Sequence, residues 1–263
     1  MGLDVTELQR WIVPWLLVSL RVGVAFSLLP APFGGGAPTR IRAAAGLLVG
    51  WALTLSTPWP ADPSATEAML RPVWLVRAAV GEVLLGGVVG LTARVVLAVA
   101  EMAGSWMGFS AGLGFAQSVD PTFGESTTPP ARAMSALAAV VFFALEGHHT
   151  VMRALGATLR LAPPGASFGA FSPAGVLSIG SAMMARGLQM AAPVVATLFL
   201  VQVGTAFVSR AAPRIQLFAL TFAIAAGVGL TVLDLAAPAM APSYAEAVRR
   251  LPADLDRAFG VLP

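Results

Sequence analysis

Charge is scarce in this chain, and that scarcity limits its folding options more than any motif does. Only 11% of its 263 residues are charged and 57% are apolar, against roughly 25% charged in an ordinary soluble domain. Mean hydropathy is +0.81. A water-soluble particle of this composition lacks the polar surface to cover itself. The chain therefore reads as an integral membrane protein, or as a subunit of an assembly almost as apolar.

The few charges exclude several functions. All 16 basic residues are Arg, set against 13 acidic ones, for a net +3. The pI near 10.9 reflects that small excess and not a basic patch. No Arg cluster is interleaved with aromatics, so nucleic-acid binding has no support. The absence of Cys excludes disulfides, Cys-ligated zinc and iron–sulfur clusters within the chain. No cofactor is expected.

Hydrophobic segments organise the chain. The N-terminus carries Asp4 and Glu7 instead of a basic region, and Arg21 interrupts its apolar run, so it does not read as a cleaved signal. Thr6-x-x-Gln9 resembles a capping box opening a helix. Apolar stretches follow at residues 11–31, 41–57, 73–100, 131–161, 176–208 and 215–240. A Gly-rich stretch to about 116 and a loop over 117–130 follow the third. Residues 243–263 place Tyr244, Val248, Leu251, Leu255 and Phe259 at helical spacing, as an amphipathic tail would. The expected fold is all-α: one helical domain over 1–263, built from integral-membrane-type hairpins with about six hydrophobic segments. Apolar surroundings force such a backbone to satisfy its own hydrogen bonds.

Six charges lie in or beside apolar runs: Arg21, Glu82, Arg94, Glu101, Arg186 and Asp234. Each costs about 2.5–3.5 kcal/mol at a lipid-facing position, so they are expected to be buried against protein or to face water. Glu82 and Arg94 are separated by about 18 Å along one helix and cannot pair with each other. Pro193 interrupts the fifth segment. On a six-span reading, Arg10, Arg71, Arg77, Arg153, Arg160, Arg249, Arg250 and Arg257 fall on one side. Arg40, Arg42, Arg132, Arg210 and Arg214 fall on the other. The asymmetry favours both termini inside, by a narrow margin.

Small residues recur every four positions at Ala100, Gly104, Gly108 and Gly112, and again at Gly86 and Gly90. That spacing builds one ridge on which another backbone can approach closely, either as generic packing or as a subunit contact. Glu146, His148 and His149 form the only cluster resembling a metal or proton site. Adjacent His residues diverge on a helix and no further ligand group appears, so a polar helix end is the better reading. With no Lys there is no Walker lysine, and no G-x-S-x-G surrounds any Ser. Nothing supports an enzyme.

The stretch GLGFAQSVDPTFG from Gly112 combines freed backbone at Gly112, Gly114 and Gly124, a turn at Asp120-Pro121, and the apolar Phe115 and Phe123. Irregular backbone beside apolar helices is tolerated when buried in protein or lining an aqueous cavity. A loop reaching into a pore or a neighbouring chain accounts for its aromatic content better than a surface turn does.

Here the chain resembles the FliR family of flagellar export-gate proteins, related to the T-type subunit of virulence type III secretion. GEVLLGGVVG from Gly81, GLGFAQSVDPTFG from Gly112, FFALEGHH from Phe142 and SRAAPRIQLFAL from Ser209 resemble its motifs in the same order. Ile215-Gln216 departs from the usual Leu-Asn, and Ala223 stands where Pro is common. The resemblance implies a non-enzymatic subunit of a spiral pore assembly, partnered by P-type and Q-type export-gate subunits and other export-apparatus components. It implies a place in the bacterial inner membrane at the flagellar basal body, passing unfolded substrates. It also implies a plug loop from Gly112 through Gly114, Phe115, Asp120 and Pro121 to Gly124, with Phe115 as the apolar stopper. The rivals are a virulence-type T subunit and a secondary transporter using Glu82, Arg94, Arg186 and Asp234. The transporter reading predicts two repeated halves, and no such repeat is visible.

Overall fold

Apolar runs long enough to close their own hydrogen-bond ladders become helices, and a computed structural model shows eight of them among the described residues. Those residues are 5–29, 38–56, 71–113, 127–165, 171–211 and 217–260. The helices are α1 (Val5–Leu28), α2 (Thr39–Ser56), α3 (Pro72–Ser110), α4 (Pro129–Ala144), α5 (Gly147–Leu161), α6 (Pro173–Ala211), α7 (Leu217–Arg249) and α8 (Leu251–Phe259). No strand occurs among the described residues. Four spans are long and apolar enough to cross a membrane: Trp11–Leu28, Pro72–Ser110, Pro173–Val208 and Ala223–Phe259. The α4–α5 pair is a fifth if its two bent arms count as one. The all-α, membrane-type fold read from the sequence is therefore correct.

Several boundaries have local causes. α1 opens at Val5, so Thr6 lies inside the helix and not at its cap. Pro129 and Pro130 start α4, where a missing N–H costs nothing and φ is already helical. α3 ends where Gly112 takes φ 76°, a left-handed step that glycine makes without strain. Pro193 does not break the fifth segment: α6 runs through it. The Thr197 hydroxyl also donates to the Pro193 carbonyl, the i−4 back-bond that Ser and Thr commonly make in helices.

The fourth segment breaks at Glu146, whose φ of 56° makes it the one non-glycine in the left-handed region among the described residues. α4 and α5 meet there at 65°. That conformation costs a side-chain-bearing residue about 1–2 kcal/mol. Glu146→Gly should accordingly raise the thermal stability of the detergent-solubilised protein, by up to about 1 kcal/mol. An unchanged or lower midpoint would mean the Glu146 side chain returns more than its backbone strain costs.

Contacts group the chain into two compact units. Unit 1 comprises Met1–Val95, Glu146–Ile179 and Arg250–Pro263, and unit 2 comprises Val96–Leu145 and Gly180–Arg249. In unit 1, α1 and α2 form an antiparallel hairpin: Gly46 faces Gly23 and Gly50 faces Ser19. The Trp15 indole donates to the Leu47 carbonyl at 3.1 Å and meets Trp51 edge-on. α3 runs parallel to α1, with Gly86 over Arg21 and Gly90 over Ala25. In unit 2, the end of α3 pairs antiparallel with α4, and α4 packs on α7.

The tail is amphipathic, as its spacing suggests. Tyr244, Val248, Leu251, Leu255 and Phe259 are all buried. α8 closes at Gly260 with φ 77°, packs against α5, and its Ala258 carbonyl accepts the Ser172 N–H at 2.7 Å.

Candidate functional site

Two places concentrate the residues singled out from the sequence, one in each unit. The first is a charge cluster in unit 1. Arg21 is 0% exposed and Glu82 1% exposed. Arg21 Nε donates to Glu82 Oε2 at 2.5 Å, and Nη2 donates to Oε1 at 3.1 Å. This two-point pairing is the geometry in which a planar guanidinium binds a carboxylate most strongly. Both groups are further satisfied by the end of α5. Nη1 donates to Thr158 Oγ1, Nη2 to the Ala162 carbonyl, and the Gly165 N–H donates to Glu82 Oε1.

Close approach makes this arrangement possible. Gly86 and Gly90 on α3 leave no room for a β-carbon above Arg21 and Ala25, so the α1 backbone comes within reach of Glu82. Gly165 holds φ 81° against the Trp74 ring, which aims its N–H at the carboxylate. Glu82 thus answers an arginine 61 residues earlier, and not Arg94 on its own helix. A proton or substrate path through Glu82 would need an accessible carboxylate, and this one is enclosed.

The second place is the root of the Gly-rich loop in unit 2. Gly104 lies against Pro130 and Ala131, and Gly108 against Thr128, so the glycine ladder draws the two ends of the loop together. The Gln202 side chain, from α6, donates to the Ser110 carbonyl at 2.8 Å and satisfies one of the carbonyls a helix end leaves open. Beside this root an apolar cleft is lined by Met107, Leu113, Pro130, Leu198 and Leu230, among others. Gly112 belongs to the root. Gly114, Phe115, Asp120, Pro121 and Gly124 lie outside the described residues.

The remaining candidates are dispersed. Arg94, Glu101 and Arg186 are half-buried, and Asp234 is exposed on α7. Glu146 and His149 meet at 3.3 Å on the surface, where His149 is 54% exposed. His148 stacks near the His149 ring. No group of three metal-ligating side chains occurs among the described residues.

Reading the sequence missed three participants. Thr158 and Gly165 are unremarkable in sequence and gain their role only by meeting the ion pair. Asp254 is 1% exposed and paired with Arg257. Its signal was present, since three residues after Leu251 it falls on the buried stripe of α8 and not on the solvent side.

These features define a class: a polytopic, all-helical membrane-type protein whose deepest charges neutralise each other inside the bundle. The chain belongs to the bacterial export proteins, family 1, whose family model it matches over residues 12–251. The flagellar biosynthetic protein FliR of Escherichia coli K12 is 26% identical over 243 residues, covering 91% of each chain. Its namesake from Caulobacter vibrioides is 27% identical over 89% of this chain and 92% of its own. The one from Bacillus subtilis is 27% identical over 52% and 54%. The family resemblance carried by the four motifs is correct.

Proposed function

We propose that this chain is a subunit of the flagellar type III protein export gate. The observation that carries the reading is the likeness to proteins named FliR over about nine tenths of both chains. The gate would lie in the bacterial inner membrane at the basal body, assembled with P-type and Q-type subunits. It would pass unfolded substrates and leave nucleotide hydrolysis to other components. Within it, residues 112–124 act as a plug. The segments that flank that loop, the end of α3 and residues 128–131, are held together at Gly104 and Gly108, and the adjoining cleft is apolar. Both suit a loop that excludes water and ions until a substrate displaces it.

Two measurements test this. Mild extraction of the tagged protein with its native neighbours, weighed intact by mass spectrometry, should give a defined hetero-oligomer with two smaller helical membrane proteins. A lone chain or homo-oligomer would count against the gate. Deleting residues 114–118 should leave the complex assembled but make cells leaky to ions or small molecules. An assembled complex with no added leak removes the plug role and leaves the gate assignment standing.

A further inference from the structure

We propose that Gln202 is a positioning residue for the export path: its side-chain amide holds the last turn of α3 and so fixes the point from which the Gly-rich loop departs. The proposal rests on the plug reading above and names the contact that sets the plug's base. Between Val194 and Val208 every residue is apolar or small except Thr197, Gln202 and Thr205. The two threonines bond their own helix, Thr197 to the Pro193 carbonyl and Thr205 to the Gln202 carbonyl. The Gln202 amide reaches instead to another helix, donating to the Ser110 carbonyl at 2.8 Å.

The receiving end needs that donor, because a helix leaves its last four carbonyls without partners of its own. The final turn of α3 closes with two bonds, the Ala111 N–H to the Met107 carbonyl at 2.9 Å and the Gly112 N–H to the Phe109 carbonyl at 3.0 Å. Gly112, at φ 76°, then turns the chain off the helical path. The Ser110 carbonyl is filled from α6, and packing brings α6 there. Gly187 lies against Val99 and Met102, and Gly229 of α7 lies against both Ala111 and Leu198. Val194, Leu198 and Gln202 are four apart, on one ridge of α6, and the first two line the apolar cleft with Met107 and Ala111. Past Leu198 that packing gives out. No residue from Phe199 to Val208 is buried, and Trp106 and Phe109 of α3 are exposed. The amide contact thus sits where apolar burial no longer fixes the end of α3. The cleft attaches α6, and the hydrogen bond sets where α3 stops.

Three substitutions, compared in the assembled complex with its native neighbours, separate a donor from a space-filler. Gln202→Met keeps the length without the donor. Gln202→Glu keeps the shape but, once ionised, only accepts. Gln202→Lys restores a donor, and its charge suits a helix C-terminus. Hydrogen exchange at the Ala111 and Gly112 amides, read by mass spectrometry, should rise about fivefold in Gln202→Met, the weight of one hydrogen bond. It should rise further in Gln202→Glu and stay near the native rate in Gln202→Lys. The Ala162 amide of unit 1, which donates to the Thr158 carbonyl, should not change. Ion leak through the same complexes in liposomes should follow the same order. A packing role alone predicts a different rank, with Glu closest to native because it has the shape of glutamine. That rank, or native exchange in Gln202→Met, overturns the proposal. Faster exchange with no leak, where deleting residues 114–118 does leak, also overturns it and leaves the plug standing. A deletion that does not leak removes the plug, and this role with it. Should Gln202→Met fail to assemble, the Glu and Lys variants still decide the rank.

Discussion

Gly86→Val should separate α1 from α3 and prevent unit 1 from closing. A single methyl at position 86 would already overlap the Arg21 backbone carbonyl. Backbone on an adjacent helix cannot swing aside as a side-chain tip can. Overfilling a packed interior ordinarily costs about 1–3 kcal/mol, and a backbone clash belongs at or above the top of that range. The damage extends beyond packing, because separating the helices also draws Arg21 from Glu82. Gly87 supplies the control. It is the next residue along the same helix, and a β-carbon there meets nothing within 4 Å. Thermal stability and yield in mild detergent should fall sharply for Gly86→Val and little for Gly87→Val. Equal behaviour of the two would refute the close α1–α3 seam.

Glu82→Ala should be the second severe variant, for an electrostatic reason. It leaves the Arg21 guanidinium, 0% exposed, with only the Thr158 hydroxyl and the Ala162 carbonyl as partners. Breaking one side of a buried pair costs about 3–5 kcal/mol, whereas replacing both charges with apolar groups is often neutral or stabilising. Arg21→Met combined with Glu82→Leu should therefore regain most of what Glu82→Ala loses. The recovery should stop short by about 1 kcal/mol, since the Gly165 N–H loses its acceptor. A double variant as unstable as Glu82→Ala would show that the pair does more than neutralise itself. The comparison separates two readings of buried charge, a source of stability or a debt that must be paired once incurred.

How much of this was legible in the sequence depended on whether the signal was local. The helices were, because an apolar run declares its own need for internal hydrogen bonds, and the four-residue glycine spacing declared a ridge. What the ridge touches was not legible. Gly86 and Gly90 receive α1, while Gly104 and Gly108 receive the start of α4, and no local pattern separates those two uses. The Arg21–Glu82 pair joins residues 61 apart, and with six charges in apolar runs the pairing was underdetermined. The helix break fell at Glu146 and not at the neighbouring Gly147, although glycine is the usual bearer of a left-handed residue. Asp234 looked like its fellow intramembrane charges yet faces outward, since which side of a helix is covered depends on neighbours the sequence does not name. Most of the Gly-rich loop lies outside the described residues, so its role rests on the family and on its root.

Unit 1 also has a consequence for biosynthesis. Its parts are made at three separate times: residues 1–95 first, 146–179 midway, and 250–263 only after the intervening segments. The helix that receives the Ser172 N–H and packs on α5 leaves the ribosome after every other piece of the unit. Until then α5 lacks one of the elements packed against it. The nascent protein therefore carries a partly uncovered apolar surface from the completion of α5 at Leu161 until α8 is made at Leu251–Phe259. A messenger truncated just before Leu251 would yield a chain with nearly all its helices and an unfinished first unit.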